Sequence, residues 1–141
     1  MGDGGRIVVG VDGSDAAHAA LRWAVGQARL AGAVLDAVIA WDYPVFSVGE
    51  ILLPPHDPES MARQMLQYAV EEAQTDGVDL RQHVLAGHAA QVLVETAKEA
   101  RLLVVGSRGR GTFTAAMLGS VAYHCVQHAP CPVVVVRGTE Q

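Results

Sequence analysis

The chain has 141 residues and a formal net charge of −5; half of its residues are apolar and only 5% are aromatic. The acidic balance argues against nucleic acid and anionic membranes as partners, because both need a basic face. The length suits a single domain, 1–141. A core of Val, Ile, Leu and Ala is typical of a parallel sheet that helices cover on both faces.

The N-terminal residues, the apolar runs and the cysteines indicate the expected cellular location of the protein. Residues 1–6 lack the apolar stretch of a secretory signal, and no apolar run approaches the ~20 residues of a membrane span. Cys125 and Cys131 have no zinc-binding spacing, so no metal site is expected. We therefore expect a cytoplasmic protein without a membrane partner, in which both thiols are reduced.

Short strand patterns alternate with helical patterns along the chain. Strands are predicted over residues 7–11, 33–41, 80–86, 102–105 and 133–136. Helices are predicted over residues 15–31, 59–75, 89–100 and about 118–128. Ser14 is expected to cap the first helix, and Gly32 and Gly77 to stop the first two. Such alternation predicts a doubly wound α/β fold with a five-stranded parallel sheet and right-handed crossovers.

Three further features are a long connection, two tryptophans and a pair of histidines. Residues 42–58 contain four prolines and predict a long irregular loop, a kind that is often functional. Trp23 and Trp41 are expected in the core or in a pocket wall. His124 and His128 are four residues apart on a predicted helix, and we expect them on its surface because no third metal ligand accompanies them.

A glycine-rich stretch runs from the end of the fourth predicted strand to the start of the last helix. Ligands of open α/β sheets bind at this edge. Its glycines allow positive φ angles and a close backbone approach, and its two arginines add local positive charge. The Gly-Ser pair begins a helix, where free N–H groups favour phosphate. The stretch predicts a polyphosphate site; the alternative is a turn that only connects strand to helix. The candidate residues are Gly106, Ser107, Arg108, Gly109, Arg110, Gly111, Gly119, Ser120 and Val121.

The spacing Gly106-x2-Gly109-x9-Gly119-Ser120 matches the ATP-binding motif of universal stress proteins, G-x2-G-x9-G-(S/T). The opening segment IVVGVDGS and the closing segment HAPCPVVVVR are similar to those of the same family, so the resemblance spans the whole chain. It implies the strand order 3-2-1-4-5 in a Rossmann-like fold. It also implies that Gly10 and Asp12 belong to the nucleotide site, with Asp12 near the ribose and adenine. The backbone near Ala40 would meet the adenine.

The resemblance and the residues together predict an ATP-binding protein that acts as a nucleotide-responsive sensor or regulatory module in the stress response. ATP, alone or with Mg²⁺, is the expected ligand. Asp12 is the carboxylate that can be placed near the site, and its expected position is at the sugar end, so we assign no catalytic residue. A slow ATPase or phosphotransferase is the alternative. AMP, adenosine or a cyclic nucleotide are alternative ligands.

The strand order also predicts a partner. Strands 3 and 5 are the two edges of the predicted sheet, and the strand-3 edge carries the polar residues Arg81, Gln82 and His83. The strand-5 edge, Val133–Val136, is an uninterrupted apolar run. Unpaired N–H and C=O groups on such an edge recruit another chain. We therefore predict a homodimer in which this strand pairs with its own copy about a two-fold axis.

Overall fold

The computed structural model describes residues 4–42, 57–109 and 118–138. In these residues strands and helices alternate along the chain. The strands are β1 (Arg6–Gly10), β2 (Val34–Trp41), β3 (Leu80–Ala86), β4 (Leu102–Gly106) and β5 (Val133–Val136). The helices are α1 (Asp15–Ala31), α2 (Pro58–Glu72), α3 (Ala89–Thr96) and α4 (Ser120–His128). Among the described residues, no helix has the length and hydrophobicity needed to cross a bilayer.

The sheet has the order β3-β2-β1-β4-β5, and all of its pairings are parallel. The predicted fold class and strand order are thereby confirmed. β1 lies at the centre, where Val8 pairs with Asp36 of β2 on one side and with Leu103 of β4 on the other. The chain runs outward from β1 to β3 and then returns to β4. This reversal opens a crevice at the carboxyl ends of β1 and β4, the usual ligand position in such sheets.

Each face of the sheet has its own apolar cluster, because successive side chains of a strand point to opposite faces. On the side of α1 and α2, Ile7, Val9 and Leu35 pack with Leu21 and Leu66. On the side of α3 and α4 the buried residues include Val8, Val38, Leu93, Leu103 and Cys125. The predicted placement of helices on both faces is therefore correct.

The predicted start and stop of α1 are confirmed, since the Ser14 side chain accepts a hydrogen bond from the Ala17 amide and Gly32 is left-handed at φ 66°. The predicted ends of the next two helices were wrong. α2 ends at Glu72, because Gln74 adopts φ 55° and leaves the helix before Gly77. α3 ends at Thr96, and Glu99 adopts φ 65° soon after it.

The two tryptophans occupy different environments. Trp41 packs against the cluster beneath α1 and α2. Trp23 is 37% exposed, because the buried face of α1 runs through Ala20, Leu21 and Ala24 and leaves position 23 on the solvent side. The expectation of a core or pocket-wall position is wrong for Trp23.

The two cysteines are free thiols at the α4 end of the second cluster. Cys125 is buried, and its burial raises the pKa of the thiol to about 11. Burial also raises the pKa of Cys131, against an opposing influence of the Arg6 charge. A raised pKa keeps a thiol protonated and unreactive at neutral pH, so both cysteines serve as packing residues.

One carboxylate is buried on the α3 side of the sheet. Asp36 is 4% exposed, and its Oδ2 accepts a hydrogen bond from Arg6 Nη1 at 3.0 Å. The other oxygen, Oδ1, lies 2.9 Å from His83 Nε2. Arg6 also donates through Nη2 to the carbonyls of Thr96 and Lys98, at 3.1 and 2.7 Å. This network therefore joins three strands to the carboxyl end of α3.

Replacing Asp36 by alanine should lower the free energy of unfolding by about 2–3 kcal/mol, because it leaves the partly buried Arg6 without its anion. Asp79→Ala is the matched control. Asp79 also pairs with an arginine, Arg81, but both side chains are about 60% exposed, so its loss should cost less than about 1 kcal/mol. Urea titration of both variants checks this expectation. Equal losses in the two would contradict the structural role of the Asp36 network.

Candidate functional site

A cleft lies at the carboxyl ends of β1, β2 and β4, in the crevice where the strand order reverses. It encloses about 450 Å³, including the part open to solvent. Most of its lining is apolar, and the charged side chains among the described lining residues are Asp12 and Arg108. The lining residues are Gly10, Val11, Asp12, Ala17, Val38, Ala40, Ala89, Leu93, Val105, Gly106, Arg108, Gly109, Val121 and Ala122.

Asp12 stands just beyond the end of β1. Its Oδ1 accepts a hydrogen bond from the Ser14 amide at 2.9 Å, so the carboxylate closes the turn into α1. Its Oδ2 lies on the side of Gly109, where an added Cβ would come within 3.0 Å. Asp12 thus serves the turn through Oδ1 and also borders the cleft.

The segments around the cleft are tied to one another by backbone hydrogen bonds. Ser107 donates its amide to the Val136 carbonyl of β5, and its own carbonyl accepts from the Gly119 amide, both at 2.8 Å. Ser14 Oγ lies 3.4 Å from the Arg108 carbonyl oxygen and donates to it. These contacts fix the start of the loop after β4 against both α1 and α4, and they make Ser107 a backbone anchor.

The loop glycines are required by close packing. Gly106 and Gly109 do not have the positive φ angles that the sequence analysis allowed them. An added Cβ at Gly106 would lie 2.7 Å from the Ala16 carbonyl carbon, so β4 could not approach α1. At Gly119 it would lie 3.2 Å from Arg108 Cα and from the Gly109 amide nitrogen. The missing side chains let the β4 loop, α1 and the start of α4 meet.

Two helices begin at the cleft. α4 starts after Gly119 and α3 after His88, and neither residue makes a side-chain capping bond to its helix. The first residues of these helices, including Ala89 and Val121, line the cleft. The first amides of a helix have no partner within it and carry the positive end of its dipole. This end of the cleft is therefore suited to negative charge.

The structure brings most of the predicted site residues together. Seven of them line the cleft: Gly10, Asp12, Ala40, Gly106, Arg108, Gly109 and Val121. Ser107 and Gly119 adjoin it through the backbone hydrogen bonds described above, and Ser120 lines a neighbouring groove. Arg110 and Gly111 fall outside the described residues, as does most of the predicted loop over 42–58.

Sequence reasoning missed the apolar wall of the cleft, above all Leu93 of α3. The only signal for Leu93 in the sequence is an indirect one, the glycine at position 10. A Cβ on Gly10 would lie 2.8 Å from Leu93 Cδ1, so a glycine at the end of β1 makes room for this leucine. In the described parts of the chain, no three His, Cys, Asp or Glu side chains come together as a metal ion would need.

Comparison with known proteins agrees with this architecture. The model of the universal stress protein family matches residues 5–137. A universal stress protein of Mycolicibacterium smegmatis is 38% identical over 138 residues, which cover 93% of this chain and 45% of that protein. The chain belongs to the universal stress protein family. It spans about half the length of the curated relatives that it matches.

Solved structures show the same fold with nucleotides bound. A universal stress protein in complex with cAMP is 28% identical and has a TM-score of 0.72, with 96% of this chain and 98% of that chain covered. A universal stress protein of Archaeoglobus fulgidus in complex with dAMP is 26% identical and has a TM-score of 0.69, with 96% and 99% covered. Both neighbours are therefore similar to this chain over nearly its whole length.

Proposed function

We propose that the cleft binds an adenine nucleotide, with ATP as the resident ligand, and that binding makes the protein a nucleotide-responsive regulatory module in the stress response. One observation carries the proposal. An apolar cleft at the sheet reversal ends at the uncapped start of α4, beside Gly109 and Arg108. A base and a phosphate chain need these two environments next to each other.

The ligand is oriented by the two ends of the cleft. Its adenine and ribose lie against Ala40, Val38 and the carboxylate of Asp12, whose Oδ2 accepts a ribose hydroxyl. Its phosphates meet the amides at Gly109 and at the start of α4, with Arg108 as the countercharge. Mg²⁺ enters with the phosphates, since no carboxylate cluster among the described residues would hold it in advance.

Binding without rapid turnover fits the chemistry of the described residues. Asp12 is the carboxylate of the cleft, and its Oδ1 already accepts the Ser14 amide. Hydrolysis of ATP needs a group that orients water at the γ-phosphate, whereas our proposal assigns Asp12 to the ribose. A slow ATPase or phosphotransferase is the second candidate, and ADP release from the purified protein separates it from the first.

A nucleoside monophosphate is a second candidate ligand. The structural neighbours solved with cAMP and with dAMP favour it, since each of these ligands carries a single phosphate. Arg108, which lines the cleft, favours a longer phosphate chain instead.

We further propose that residues 1–141 form one universal stress protein domain, that the protein works in the cytoplasm, and that it is a homodimer through β5.

Two substitutions test this arrangement. Asp12→Ala should weaken ATP and adenosine by a similar factor, about tenfold or more, because both lose one charged hydrogen bond to the sugar. Arg108→Ala should weaken ATP more than adenosine, and the difference should shrink with added salt. Calorimetry of the unmodified chain and both variants with the two ligands measures the six affinities. Equal losses for ATP and adenosine in Arg108→Ala would contradict the assignment of the phosphate end.

A further inference from the structure

The end of the cleft assigned to the base is a slot between the sheet and α3. On the sheet side it is lined by Gly10 of β1 and Ala40 of β2. These two residues lie two positions beyond Val8 and Val38, which are buried on the α3 side of the sheet, so they face α3 as well. Glycine and alanine leave the surface of the sheet low at this point, which suits a planar ring.

Leu93 of α3 closes this slot from the other side. It is 5% exposed, and it is the largest apolar side chain among the described residues that line the cleft. A Cβ added to Gly10 would lie 2.8 Å from Leu93 Cδ1 and 3.3 Å from Cδ2, so the leucine occupies the space that a side chain at position 10 would need. Leu93 also belongs to the buried cluster of this face, and its packing there holds it in place.

The side chains of the cleft can discriminate bases by shape. Asp12 and Arg108 are the charged side chains among the described lining residues, and the rest of that lining consists of glycine, alanine, valine and leucine. Our proposal assigns Asp12 to the ribose and Arg108 to the phosphates, so the described lining holds no further polar side chain for the base. An apolar wall discriminates by size, and a difference of one methylene group changes the affinity by about 10–200-fold.

We propose that Leu93 determines which bases the cleft accepts. Its side chain limits the slot to an unsubstituted purine and excludes a purine that carries an additional group on the edge facing α3. Leu93 acts by contact with the base and takes part in no chemical step. The inference rests on the proposed nucleotide binding and names the ligand class more closely.

The first test compares ATP with two enlarged analogues, ATP with a benzyl group on the exocyclic amine and 2-methylthio-ATP, by calorimetry on the full chain. The unmodified protein should prefer ATP over at least one analogue by about tenfold or more. Leu93→Ala should reduce that preference by about fivefold or more, because the shorter side chain opens the slot next to the base. The analogue whose relative affinity rises identifies the edge of the base that faces α3.

Leu93→Phe changes the size of the side chain in the opposite direction and keeps the core filled. The leucine already occupies the space above Gly10, so the larger ring has to project into the slot. This variant should weaken ATP more than UTP by about fivefold or more, because a pyrimidine has a single ring and needs less room. It decides the question if Leu93→Ala does not fold.

Leu66→Ala is the matched control. Leu66 is also a buried leucine of a helix, but it lies in α2 on the opposite face of the sheet and does not line the cleft. Its replacement should leave every preference unchanged. The role of Leu93 is refuted if the unmodified protein binds ATP and both analogues equally, if a folded Leu93→Ala variant keeps the original preference, or if Leu93→Phe weakens ATP and UTP equally. If the unmodified protein binds none of the ligands, the proposed nucleotide binding itself fails.

Discussion

Replacing Gly109 by valine should weaken ATP binding by at least about a hundredfold while the sheet remains folded. The new Cβ would lie 3.0 Å from Asp12 Oδ2, and the two methyl groups beyond it would enter the space between Asp12 and the start of α4. A loss of backbone approach to phosphate together with a displaced carboxylate removes several hydrogen bonds, each worth about 1–3 kcal/mol. Calorimetry with ATP measures the loss.

Gly26→Val is the matched control for this change. Gly26 lies within α1, and a Cβ added there would meet no atom within 4 Å. Valine is a somewhat better helix former than glycine, so the stability should stay the same or rise slightly. This variant should bind ATP as the unmodified chain does. An unchanged ATP affinity in a folded Gly109→Val variant would show that the β4 loop does not meet the phosphates.

Replacing Val135 by proline should convert the proposed homodimer into a monomer. β5 is an edge strand that pairs with β4. The carbonyls of Pro132 and Val136 accept hydrogen bonds from Leu103 and Ser107 on the β4 side. Because the backbone groups of successive residues point to opposite sides of a strand, those of Val133 and Val135 face the open edge. Proline at position 135 removes an outward donor and spares the β4 pairing.

The opposite edge of the sheet supplies the control. On either side of β3, the Asp79 carbonyl and the Gly87 amide hydrogen-bond to β2, so the odd-numbered residues direct their backbone groups towards β2. The backbone groups of Gln82 therefore face the open edge. Gln82→Pro should leave the dimer intact, since this edge is polar and is not expected to pair. Sedimentation velocity over a dilution series measures both variants. A monomeric unmodified chain, or a dimer that survives Val135→Pro, would rule out pairing through β5.

The sheet could be predicted from the sequence because its signals are local and strong. Most strands are short apolar runs, and the helical patterns between them predict a parallel sheet with right-handed crossovers. The strand order came from the resemblance to universal stress proteins. The ends of α2 and α3 were missed because Gln74 and Glu99 leave the helical conformation without a glycine to mark the change. Such turns depend on tertiary packing, which no short window of sequence records.

The site was predictable to the extent that glycines and charged residues mark it. Arg108 and Gly109 were predicted from the glycine-rich stretch after a buried strand, and Asp12 from the resemblance to universal stress proteins; all three line the cleft. Leu93 was missed because a leucine on the inner face of a helix has the same pattern whether it meets the core or a ligand. Gly106 was predicted because glycine allows positive φ angles and a close backbone approach. Its close contact with Ala16 is visible only in the packed structure.

Titration calorimetry of the unmodified, nucleotide-free chain with ATP in the presence of Mg²⁺ tests the central claim most directly. The cleft predicts one ATP per chain with a dissociation constant below about 100 μM, or roughly −5.5 kcal/mol, which is modest for a site that holds both a base and phosphates. The absence of binding up to about 1 mM ATP, with folding confirmed on the same sample, would contradict the account.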